Sequence, residues 1–146
     1  MAESFKLQNV LNHRQRLENL AQQKLADSLR RETELQKQLA AARAELEKTR
    51  QELGSLQRSG ITAQELLLFN GSINRQRKNL KALLEQAVRH RREVSDNREL
   101  LAATTREKKL LENLKEKKEA ENQVLNRRRE SATLDELALR LGKYSP

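Results

Sequence analysis

Cysteine and tryptophan are absent from this chain, and its one proline is the final residue, Pro146. Without thiols there can be no disulfide and no thiolate zinc site, which fits a reducing compartment such as the cytoplasm. Without an interior proline the strongest helix breaker is missing. Phe5, Phe69 and Tyr144 are the only aromatic rings among 146 residues, too little bulk for a globular interior. Nowhere do 18 apolar residues run together, and the opening MAESFKLQNV lacks a basic region followed by an apolar stretch. Neither a membrane span nor a cleaved export signal is therefore expected. Gly54, Gly60, Gly71 and Gly142 stand far apart, which rules out a glycine-rich phosphate loop of the Walker type. Neither His13 nor His90 has a second ligand residue at i+4, so both are expected on solvated helix surface, with no catalytic residue, cofactor or metal.

What is present is charge and helix propensity. Charged residues make up 35% of the chain, and Leu, Ala, Glu, Lys, Arg and Gln dominate, the composition of a coiled coil or long helix. The net charge of +9 would attract nucleic acid, anionic lipid or acidic protein surfaces. Much of the excess lies in residues 75–92, where Arg75, Arg77, Lys78, Lys81, Arg89, Arg91 and Arg92 face one acid, Glu85. That stretch has no interleaved aromatic rings for base stacking, so nucleic acid is not the expected partner. Acids and bases alternate elsewhere, as in Glu116-Lys117-Lys118-Glu119, in the manner of a solvated helix face or a partner contact.

From Leu35 the apolar or small residues run Leu35, Leu39, Ala42, Leu46, Thr49, Leu53, Leu56. Steps of four and three alternate, which specifies a narrow stripe and a left-handed supercoil. Upstream, Leu7, Val10, Leu11, Leu17, Leu20, Leu25 and Leu29 do not keep that phase, so a stutter is expected near Leu29. Arg58-Ser59-Gly60 reads as a helix end, and Thr62-Ala63-Gln64-Glu65 as a capping box with Ile61 and Leu66 as its staple. The second helix carries Ile73, Leu80, Ala87, Val94 and Leu101 at intervals of seven, with Leu84, Arg77, Arg91 and Arg98 as intermediate positions.

The predicted architecture is all-α: a single domain over 1–146, built as a long antiparallel two-helix coiled-coil hairpin. Helix one covers about 5–58, the turn 59–62, helix two about 63–130, and a short C-terminal helix about 134–141, started by a second capping box at Thr133-Leu134-Asp135-Glu136. Facing residues should have numbers summing to roughly 121, which sets Leu80 against Leu39 and Ala42, and Leu111 against Val10. Lys115 to Glu130 would then overshoot the N-terminus as an unpaired or partner-seeking helix. The run Leu66-Leu67-Leu68-Phe69 wraps all round a helix, so it either folds over the turn or leaves an exposed docking patch.

The segments Phe5-Lys6-Leu7-Gln8-Asn9-Val10-Leu11, Glu65-Leu66-Leu67-Leu68-Phe69, Leu110-Leu111-Glu112-Asn113-Leu114-Lys115-Glu116-Lys117-Lys118 and Leu134-Asp135-Glu136-Leu137 occur in an order and spacing that resembles the flagellar export protein FliJ family. The resemblance implies a non-enzymatic stalk, similar to the rotor shaft of rotary ATPases, seated in the pore of the hexameric flagellar export ATPase. It further implies contact with the cytoplasmic domain of the export gate membrane protein, handling of export chaperones, and a cytoplasmic location that is only peripheral to the inner membrane. Carried over by position, the gate contact would use Phe69 and Ile73. The ATPase contact would use Lys108, Lys109, Lys115, Lys117, Lys118, Arg127, Arg128 and Arg129. The alternatives are the equivalent stalk of a virulence type III secretion system, a general coiled-coil adaptor, or a nucleic-acid-binding rod.

Overall fold

A computed structural model describes the backbone of residues 2–143 and the side chains of residues 7–142; the side chains of Phe5 and Lys6, and Tyr144 altogether, lie outside the described residues. Two helices make up the fold, α1 at Ala2–Ser59 and α2 at Ala63–Lys143. Gly60 takes a left-handed φ of 103°, which costs glycine little because it has no Cβ. The Thr62 hydroxyl accepts from the Glu65 amide at 3.2 Å, and the Thr62 carbonyl accepts from the Leu66 amide at 3.0 Å. The expected turn thus forms by the expected chemistry, a C-terminal glycine followed by an N-cap.

The expected second boundary does not form. Residues 134–141 continue α2 without a break, and the Thr133 hydroxyl donates to the Arg129 carbonyl one turn back instead of capping a new helix. A capping box offers partners only to amides that lack them, and here the preceding turn already supplies carbonyls.

The described chain divides into two compact units, residues 20–102 and residues 1–19 with 103–146. In the first, contacts between the helices run antiparallel: Thr49 to Gln76, Arg31 to Glu93, Ser28 to His90 and Lys24 to Asn97. Their residue numbers add to between 118 and 125, close to the expected 121. The covered row of α1 reads Ala21, Leu25, Ser28, Glu32, Leu35, Leu39, Ala42, Leu46, Thr49, Leu53, Leu56, steps of four and three with no slip. The stutter expected near Leu29 is therefore absent. Leu20 and Leu29, which suggested it, point outward, while Ser28 is almost fully buried.

On α2 the covered row is Leu66, Phe69, Ile73, Gln76, Leu80, Leu83, Ala87, His90, Val94, Asn97, Leu101. The intervals of seven hold, but the intermediate positions are Gln76, Leu83, His90 and Asn97, one residue before those expected. Leu84, Arg77, Arg91 and Arg98 are exposed. A seven-residue repeat of 73, 80, 87 fits a stripe filled from either side, and the antiparallel partner selects the side. Burying Leu39, Leu46, Ile73 and Val94 contributes about 1.5–3 kcal/mol per side chain.

The second unit is joined differently. Arg14 pairs with Glu107 at 2.5 Å, Lys108 with Glu18 at 3.3 Å, and Lys115 donates to Gln8 at 2.5 Å. Leu7, Leu11 and Leu111 are only half-buried and Val10 is exposed. Polar contacts thus carry this seam, and long aliphatic stems cover what apolar surface there is.

Candidate partner-binding surfaces

Three surfaces could receive a partner. The first is the run after the turn. Leu66 and Phe69 are half-buried on the seam side of α2, whereas Leu67 and Leu68 are 70% and 72% exposed. A helix cannot turn four consecutive side chains the same way, so the outer two remain in water and make an apolar patch. Phe69 lines a shallow depression with Leu56, Ser55, Glu52 and Lys48 of α1. Ile73 is 8% exposed and belongs to the seam, not to the exposed patch. Leu67 and Leu68 are the accessible apolar groups that position-by-position carry-over missed; their place one and two residues outside the covered row marks them.

The second surface is the far part of α2. Lys115 and Lys118 still lie on the covered row, so the stretch without a partner among the described residues begins after them and not at Lys115. From Glu119 to Gly142 every described side chain is exposed. Arg127, Arg128 and Arg129 are consecutive and therefore spread around the helix. Val124 and Leu125 form a small apolar spot between Lys117 and Arg128. Of the eight cations expected to meet an ATPase, Lys108 and Lys115 are engaged across the seam and Lys118 is half-buried, while Lys109, Lys117 and the three arginines face water.

The third surface is a groove of about 350 Å³ between the helices of the first unit, lined by Gln36, Leu39, Ala40 and Arg43 of α1 and by Leu84, Ala87, Val88 and Arg91 of α2. Close by, His90 departs from the solvated position expected of it. Its imidazole is 8% exposed, with Nε2 against the Ser28 carbonyl and Nδ1 3.3 Å from the Glu93 carboxylate. His13 is exposed, as expected. Among the described residues no group of three His, Cys, Asp or Glu side chains could hold a metal, and no helix is long and apolar enough to cross a membrane.

An independent comparison decides among the readings of this coiled coil: the model of the flagellar FliJ protein family matches residues 3–144. The chain belongs to that family. No curated protein and no solved structure gives a match. FliJ proteins are non-enzymatic components of flagellar protein export, so this chain is a coiled-coil protein associated with the flagellar export apparatus. The FliJ match spans both the polar and the apolar seam.

Proposed function

We propose that this chain is the stalk that couples the hexameric flagellar export ATPase to the cytoplasmic domain of the export gate, and that it also assists export chaperones. It works in the cytoplasm, reaching the inner membrane only through its partners. The observation that supports this reading is the far part of α2, a single helix from Glu119 to Gly142 with every described side chain exposed. An isolated helix about 10–12 Å across with charge on all sides suits enclosure by a ring, since it offers each subunit a similar weak contact. Lys109, Lys117, Arg127, Arg128 and Arg129 supply cations for that contact, with Lys108, Lys115 and Lys118 nearer the seam.

At the gate, Leu67, Leu68 and Phe69 supply the apolar contact and Ile73 holds their helix against α1. The proposal is tested by co-purification of the ATPase with the full chain and with a chain ending at Lys118. Hexamers that retain the full chain and lose the shortened one support it; equal retention of both removes the far helix from the interface.

A further inference from the structure

Seven cations between residues 75 and 92 accompany one acid, and all eight side chains are exposed. Among the described residues none of the seven pairs with a carboxylate. Such a concentration of unpaired like charge is destabilising by self-repulsion, and an anionic partner would relieve it. The ATPase and gate contacts described above leave it unused.

The groove beside this stretch has the form of a helix seat. Its α1 wall is Gln36, Ala40 and Arg43 and its α2 wall is Leu84, Val88 and Arg91, each set spaced i, i+4, i+7 along one face. Leu39 and Ala87 form the floor, and the small side chains of Ala40 and Ala87 leave the space open. Leu84 and Val88 are 40% and 68% exposed, an apolar pair in the most basic part of the chain. Seven residues rise about 10 Å, so each wall matches two turns of a docked helix. Because α1 and α2 run antiparallel, Arg43 and Arg91 close opposite ends of the groove.

We infer that this groove docks an acidic amphipathic helix from another protein, forming a local three-helix coiled coil. Its apolar residues at i, i+3 or i+4, and i+7 cover Leu84 and Val88, while its carboxylates meet Arg43, Arg91 and the outward cations of residues 75–92. A second copy of this chain is a poor occupant, because no stretch of equal length in it is acidic enough to neutralise the cluster. A polynucleotide would use the cations but not the apolar floor, and the cluster has no aromatic ring to stack on a base.

The test uses the full chain and a fluorescent synthetic helix with leucines at heptad positions a and d and glutamates elsewhere, carrying a photo-crosslinker at its centre. Anisotropy is compared with a scrambled peptide of the same composition and with a single-stranded oligonucleotide of equal charge. The inference predicts at least tenfold tighter binding of the patterned peptide than of the scrambled one, and crosslinks confined to residues 36–43 and 84–91. It also predicts at least a tenfold loss with Val88→Asp and with Arg43→Glu plus Arg91→Glu, at unchanged far-ultraviolet circular dichroism. Val88, Arg43 and Arg91 are all exposed, and Leu84→Gln with Val88→Gln serves as a gentler variant should the charged ones unfold. Equal binding of the scrambled peptide, crosslinks elsewhere, or tighter binding of the oligonucleotide that ignores Val88 would overturn the inference.

Discussion

His90 and Ser28 are joined across the two helices: the imidazole Nε2 donates to the Ser28 carbonyl, and both residues are buried in the seam. The Ser28 hydroxyl is spent on its own helix, donating to the Leu25 carbonyl at 2.9 Å. The bond is therefore side chain to backbone, and it fixes His90 against one turn of α1 and no other. A buried polar group of this kind specifies register more than it adds stability.

Replacing His90 separates those two effects. His90→Ala should destabilise the coiled coil by about 1–2 kcal/mol, the cost of a lost buried hydrogen bond. His90→Leu should melt at or above the wild-type temperature, yet let the helices slip. Thermal melts followed by circular dichroism measure the first effect. The second is read from a disulfide between Thr49→Cys and Gln76→Cys, whose native side chains meet at 3.0 Å in a chain with no other cysteine. Its yield should fall in the His90→Leu background, and an unchanged yield would remove the register role.

The polar seam of the second unit predicts an asymmetry. Lys108 reaches Glu18 at 3.3 Å and Glu112 at 3.7 Å, and Glu18 is the more buried of the acids. Lys108→Ala leaves a buried carboxylate without its cation and should cost about 1–3 kcal/mol. Glu18→Ala leaves Lys108 with Glu112 and should cost less, about 1 kcal/mol or under. Chemical denaturation of both variants at low and high salt checks the order. The reverse order would mean that Glu18 is solvated and that the seam is held by its leucines.

Much of this fold was legible because its signals are local. Gly60 and Thr62 act on their own turns, and the seven-residue spacing of Ile73, Leu80, Ala87, Val94 and Leu101 survives any choice of partner. The misread positions share one cause. Leu84 is apolar and Gln76, His90 and Asn97 are polar, so hydropathy chose the wrong side of the stripe. Partners on the other helix, Thr49, Ser28 and Lys24, make the polar residues acceptable, and a single helix cannot reveal them. Leu20 and Leu29 suggested a stutter for the same reason: they are apolar but exposed, while the polar Glu18 and Ser28 are buried in their place. The break expected at Thr133 failed because a capping box is permissive, and the strong helix formers around it continue the helix. Leu67 and Leu68 were visible as an apolar run, but which two of the four would face water depended on the phase of α2.

That phase separates contact from support near the turn. Leu67→Gln with Leu68→Gln should weaken binding to the cytoplasmic domain of the export gate without changing helicity or melting temperature. Ile73→Ala should instead destabilise by about 2–3 kcal/mol, since it removes a buried side chain from a packed seam. A pull-down and a melt on the same samples distinguish them. Full gate binding by the Leu67 and Leu68 variant would move the contact away from this patch.

The most direct measurement of the stalk account is ATP turnover by the purified export ATPase, with the wild-type chain or with Arg127, Arg128 and Arg129 all replaced by alanine. Exposed charges contribute little to folding, so the variant should keep its melting temperature. Their attraction to a ring is screened, over about 8 Å at ~0.15 M salt. The account predicts that the wild-type chain raises turnover, that the triple variant raises it less, and that the difference shrinks as salt rises. Equal stimulation by both proteins at every salt concentration would contradict it.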